Sequence, residues 1–210
     1  MKDDKKTYDE VYRSLREQYS LRDDEDKVKI IAAIRRLAGD GNIHASFHLS
    51  TSISLDIPRE ERDALRDKVI GQYEEEPGEY EPWFLCRIAN KYFYDQFNNH
   101  CLDLVKERLV WYRRAYAADR LYAARKILQE YRYCQQRSLD GEYRDFCLEI
   151  LEDADYYIRD DTYVYSDGSK EPLGTVGDAV NGLVELANRG DARAEQMLKK
   201  AFESGFFGKK

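Results

Sequence analysis

His44 and His48 stand four residues apart. On a helix that spacing turns two imidazoles to one face, where they can share a zinc ion. The glutamate that follows the first histidine of a metalloprotease helix is replaced by Ala45, and no third ligand stands nearby, although His100 and Cys101 are adjacent further on. The plainer reading is a pair of surface or half-buried histidines, so neither metal nor cofactor is assigned. Asp160, Asp161 and Asp167 gather with Tyr163 and Tyr165 in one stretch. Carboxylates in a loop can bind calcium, but this spacing matches no calcium loop. A solvated acidic loop is the simpler expectation, and as a loop on a helical scaffold it is a candidate contact surface. The chain contains no phosphate-binding G-x-x-x-x-G-K-(S/T), no G-x-G-x-x-G and no G-x-S-x-G. With three histidines and no base–nucleophile pairing, no catalytic residue is assigned.

The charge distribution is more pointed. Residues 106–137 hold nine Lys or Arg and three acids, a net +6 in a chain of net −7. Trp111, Tyr112, Tyr116, Tyr122, Tyr131 and Tyr133 interleave with them. Cations among aromatics can hold RNA by phosphate pairing and base stacking, or dock an acidic protein. They can also be internal: Tyr112, Tyr116 and Tyr131 fall on an apolar stripe, and the arginines would then pair with acidic neighbours such as the 74–81 run. The pI near 5.2 argues against general affinity for nucleic acid. Arg113, Arg114, Arg120, Tyr122 and Arg125 are the candidate partner-binding residues here, with Asp161, Tyr163, Tyr165 and Asp167 in the loop.

The elements that must carry these residues are helical. Four prolines and 12 glycines in 210 residues are few, and they cluster at breaks. Apolar spacings of three and four predict helices over about 7–20, 25–38, 43–54, 58–73, 82–97, 100–117, 119–136, 140–158, 175–188 and 191–204. Gly39 to Asn42 can end the second helix, and Asn42 can cap the third. Pro58 suits a first turn, Asp119 can cap the seventh helix, and Asp140-Gly141 turns into the eighth. Residues 159–174 lack helical period. Thr162 to Tyr165 could form a short strand there, followed by a turn at 166–169. No apolar run approaches the ~18–20 residues that span a bilayer, and the opening MKDDKKTYDEVYRSL lacks the apolar stretch of a signal peptide. Cys86, Cys101, Cys134 and Cys147 are widely spaced and read as reduced thiols of a cytoplasmic protein.

One pattern occurs twice. Leu37-Ala38-Gly39-Asp40-Gly41-Asn42-Ile43-His44-Ala45 and Leu186-Ala187-Asn188-Arg189-Gly190-Asp191-Ala192-Arg193-Ala194 both read L-A-x-x-G-(N/D)-x-x-A, and a leucine follows four residues later in each. Glycine lets the chain reverse tightly, and alanine lets the second helix approach the first. The stretch from Ala187 to Gly205 resembles half of a Sel-one-like repeat, a relative of the tetratricopeptide repeats, and Trp111-Tyr112-Arg113-Arg114-Ala115 resembles the W-Y-x-K-A-A of its other helix. Three short stretches carry the resemblance. After Leu49 the aromatic and closing-glycine positions hold Ile53 and Asp56, and Asp119-Arg120 stands where the family has Gly-Asp. The resemblance implies a scaffold that binds proteins and brings no catalytic residues.

The expectation is an all-α chain of about ten antiparallel helices in helix–turn–helix pairs, either a short α-solenoid or a compact bundle. It forms a single helical-repeat domain, 1–210, with a possible subdivision into 1–158 and 175–205. The expected function is protein binding, as adaptor, inhibitor or immunity-type protein, with an acidic patch on the partner. An RNA-binding regulator using 106–137 is the alternative, and a helical enzyme with an unrecognised carboxylate site is third.

Overall fold

The structure is a computed structural model that describes residues 2–52, 55–75, 81–93, 100–160, 162–164, 170–172 and 174–203. Among these it is all-α apart from one short hairpin. The helices are α1 (Lys2–Gln18), α2 (Asp24–Gly39), α3 (Ile43–Thr51), α4 (Arg59–Glu75), α5 (Pro82–Tyr92), α6 (Leu102–Ala118), α7 (Arg120–Cys134), α8 (Asp140–Glu152), α9 (Ala154–Asp160), α10 (Thr175–Asn188) and α11 (Ala192–Glu203). The chain gathers into two compact units, residues 1–80 and 81–210, so the break falls in the acidic stretch before Pro82. Helices from both sides of the 159–174 segment pack within the second unit.

The repeated sequence pattern is a repeated hydrogen-bond pattern. In the first unit, Gly41 at φ +93° donates to Ala38 O and Asn42 N donates to Leu37 O. In the second, Gly190 at φ +94° donates to Ala187 O and Asp191 N to Leu186 O. Each turn therefore closes its helix with a left-handed glycine and the paired carbonyl contacts of a Schellman motif. The next residue caps the following helix: Asn42 Oδ1 accepts from Ala45 N at 3.0 Å, and Asp191 Oδ1 from Ala194 N at 2.9 Å. Ala45 and Ala194 are both fully buried, so the small residue sits at the helix contact.

In the first unit α2 packs on α3 and α3 on α4, while α1 lies across α3. Ile30, Ile34 and Ala38 of α2 meet Ala45 and Leu49 of α3 in a core that Tyr8, Tyr12 and Leu15 of α1 partly cover. From α4, Lys68 Nζ and Gln72 Nε2 donate to the carbonyls of Ala38 and Gly41 and so tie α4 to the turn that follows α2.

In the second unit consecutive helices pack in turn, and α5 touches α7 as α7 touches α10. Asp119 both ends α6 and starts α7: its N–H donates to Ala115 O at 2.8 Å, and its side chain accepts from Tyr122 N at 3.1 Å. The single helix expected over 140–158 is two, because the chain breaks at Asp153 (φ −113°) between α8 and α9. The segment expected to be irregular, 159–174, opens with the end of α9, so Asp160 is helical. It then forms two antiparallel strands, β1 (Thr162–Val164) and β2 (Lys170–Pro172), with Tyr163 opposite Glu171. The expected strand is thus half of a hairpin, whose second half lacked a β-branched signal. The turn expected at 166–169 lies outside the described residues, as do the last residues of the helices expected over 43–54 and 82–97.

Helices α8 and α10 meet closely at Gly182, whose absent side chain makes room for Tyr143. A Cβ there would lie 2.5 Å from Tyr143 Oη and 2.8 Å from Cys147 Sγ. Gly182→Ala should therefore destabilise the protein by about 1–3 kcal/mol through overpacking. Gly71→Ala, in α4 with nothing near the added methyl, should stabilise it by about 0.5–1 kcal/mol. Urea unfolding of the two variants checks both signs.

Candidate functional site

The basic segment folds into α6 and α7, and most of its cations turn toward the protein's own acids and rings. Arg108 is buried. Its Nη2 lies 2.7 Å from Glu130 Oε1, and its Nη1 donates to Phe93 O. Arg120 Nη1 lies 2.7 Å from Asp153 Oδ2, and its Nε donates to Tyr116 Oη at 3.1 Å. The same guanidinium sits 5.4–5.6 Å from the ring centres of Tyr116, Tyr156 and Tyr157. Three aromatic faces and a carboxylate thus hold Arg120 as an internal clamp between α6, α7 and α9.

The other candidates are also placed. Arg113 is exposed, donates to Tyr131 Oη at 2.8 Å and lies over the Phe146 ring. Arg114 lies 4.7 Å from the Trp111 ring centre. Tyr122 is half-buried at the start of α7. Arg125 Nε donates to Asp178 Oδ2 at 3.0 Å. Asp161, Tyr165 and Asp167 lie outside the described residues, and Tyr163 is in β1. The loop carboxylates and the arginines are therefore not brought into one described site.

The histidine pair faces aromatic rings. Tyr8 hydrogen-bonds His48 Nδ1, Tyr12 packs edge-on against His48 at 4.7 Å, and Tyr8 stacks on His44. Among the described residues no group of three or more His, Cys, Asp or Glu is placed to hold a metal ion.

The place where polar groups do converge lies along α7 and α10. Arg125 pairs with Asp178, and Arg132 with Glu185 at 2.7 Å. The two arginines are seven residues apart on α7, and so are the two acids on α10. Only helices running in the same direction satisfy both pairs. Between them is a cavity of about 120 Å³ lined by Arg125, Leu128, Gln129, Arg132, Tyr133, Tyr143 and Asp178. Arg132 and Tyr133 also border a neighbouring groove of about 430 Å³, together with Gln135, Glu185, Asn188 and Arg189. Tyr133 is 65% exposed at the shared rim. At the floor, Tyr143 stacks on Tyr131 with ring centres 5.4 Å apart, and its buried hydroxyl has no hydrogen-bond partner. Sequence reasoning counted Arg132 and Tyr133 but did not single them out, and it missed Gln129 and Tyr143. The available signal was Gly182, an isolated glycine inside a helical pattern, which marks a close approach.

No family model, curated protein or solved structure matches the chain.

Burial sets the acid–base behaviour of this unit. It pushes the Cys86 thiol up to about 12, against the opposing charge of Lys126, and the Tyr131 hydroxyl up to about 12, against Arg113. Both groups hold their protons more tightly folded than unfolded, where cysteine ordinarily titrates near 9.0 and tyrosine near 10.0. Their neutral forms stabilise the fold below those values. That contribution should fall as pH rises from about 9 toward 12, read as a decreasing urea midpoint. A midpoint flat to pH 11 would contradict the burial.

Arg108 and Glu130 allow a sharper check. Their side chains are 4% and 14% exposed, so Arg108→Leu strands a carboxylate in the interior. Loss of about 3–5 kcal/mol is expected. Arg108→Leu with Glu130→Leu should recover most of it, because no buried charge then remains. A double-mutant cycle from urea unfolding measures this.

Proposed function

We propose that the protein is a protein-binding module, of adaptor, inhibitor or immunity type, whose contact surface is the face shared by α7 and α10. One observation carries the reading: an exposed tyrosine and two arginines border a groove between two parallel helices. Tyrosine and arginine are the residues that most often supply binding energy at protein interfaces. The expected partner carries an acidic patch, and the hairpin segment after α9 is a second candidate contact.

The helical-repeat reading supports this. The two glycine turns are alike in their hydrogen bonds, and helices two apart in the chain touch in both units, α1 with α3 and α5 with α7. Such stacking lines up alternate helices along one face, as the Sel-one-like resemblance implies. The free thiols suit a reducing, cytoplasmic compartment, and no described helix is long and apolar enough to cross a membrane. The RNA reading loses ground because Arg108, Arg120, Arg125 and Arg132 already face carboxylates.

Affinity capture from the native host tests the proposal, with wild type and Tyr133→Ala as paired baits. A host protein should be retained by wild type and at least ~10-fold less by the variant, the loss of a hot-spot tyrosine. A labelled oligouridylate should show no salt-sensitive binding. Recovery of no protein, or tight oligouridylate binding, overturns the reading.

A further inference from the structure

We propose that the apolar groove between α8, α10 and α11 is the docking site of the segment that follows α11, with the Phe206 ring as its occupant. The groove shares no lining residue with the two cavities along α7 and α10, so this inference stands apart from the protein-binding reading.

Side chains of three helices build the groove. Leu148 and Leu151 come from α8, Leu183 from α10, and Met197 and Ala201 from α11, with Glu152 and Lys200 as its charged lining. Its volume is about 280 Å³, against the roughly 150 Å³ that seats a benzene ring in an apolar cavity. One phenyl ring therefore fits. Leu183 is buried, but the rest of the apolar lining is only half-buried, and such a surface gains from being covered. No described element follows α11 to cover it.

The register of the helix ends selects the occupant. Helix α2 ends at Gly39 and α10 at Asn188, and in each a glycine with positive φ stands two residues further on, Gly41 and Gly190. The residue after that glycine, Asn42 or Asp191, donates its N–H to the carbonyl five residues back, Leu37 or Leu186. Helix α11 ends at Glu203, and the sequence again has a glycine two residues further on, Gly205. Residues 204–210 lie outside the described residues. The same device there puts Phe206 at the position of Asn42 and Asp191, with Ala201 five residues back. In a Schellman motif those two positions frequently share an apolar contact. Ala201 lines the groove, so the turn delivers Phe206 to it. Asn42 and Asp191 use their side chains to cap the next helix. Phenylalanine has no capping group, and an apolar seat is what its position offers.

Thermal unfolding of the full chain tests this with three single variants. Phe206→Ser should lower the melting temperature by at least ~3 °C, the loss of a buried aromatic side chain in a chain of this size. Gly205→Val keeps both phenylalanines but resists positive φ, and should lower it too. Phe207→Ser should lower it less than Phe206→Ser does. The dye ANS, which binds exposed apolar surface, should bind Phe206→Ser more than wild type. In methyl-labelled wild type, nuclear Overhauser effects should join the Phe206 ring to the Met197 and Leu151 methyls. The assignment is overturned if Phe206→Ser melts as wild type does, if Phe207→Ser lowers the melting temperature as much, or if the ring shows no effect to those methyls. Equal dye binding by wild type would leave the groove open to a different partner and also overturn it. So would sedimentation of wild type as a dimer that Phe206→Ser makes monomeric, because the ring in the groove would then come from a second copy.

Discussion

The second unit depends on how closely α10 lies on α8. Gly182 sits in the middle of α10, where glycine costs about 0.5–1 kcal/mol relative to alanine. The fold accepts that cost because a methyl group would occupy the place of the Tyr143 ring. With Tyr143 seated there, its other side stacks on Tyr131 of α7, a contact of roughly 0.5–1.5 kcal/mol beyond the area buried. One tyrosine thus ties α7, α8 and α10 together. Its hydroxyl is buried at that contact without a hydrogen-bond partner.

Around that contact the arginines act as stitching. The pairs of Arg120 with Asp153, Arg125 with Asp178 and Arg132 with Glu185 each join different helices and are partly exposed. Each contributes on the order of 0.2–1 kcal/mol, so together they favour one register more than they supply bulk stability. Arg108 with Glu130 is different, because both are largely buried and either alone would be costly. Acids from outside the segment, Asp153, Asp178 and Glu185, thereby meet part of its net +6 inside a chain of net −7. The surface left over is a groove of paired charges with spare donors, suited to selective hydrogen bonding.

The helices were legible because their signals are local. Apolar spacing, Pro82 at the start of α5, Asp119 before α7 and the glycine turns at 41 and 190 act within a few residues, and the structure has helices where those signals stand. The break at Asp153 was hidden because the apolar spacing continues through it; the residue is drawn instead toward Arg120, 33 positions away. The groove was illegible for the same reason. Asp178 and Glu185 carry no mark that they face Arg125 and Arg132, and Tyr143 is one of 17 tyrosines. The described partners of the basic segment lie on α7, on α10 and between α8 and α9, while most of the acidic run at 74–81, the neighbour that sequence suggests, lies outside the described residues. Composition reported that the charges must be balanced, and only topology says by which residues.

The contact at Gly182 can be seen directly by nuclear magnetic resonance of the intact chain. A strong nuclear Overhauser effect between the Gly182 Hα protons and the Tyr143 ring is expected, with those α protons displaced by the ring current. An assigned spectrum with no such effect would place α8 and α10 further apart, and the cavity above Tyr143 would lose its floor.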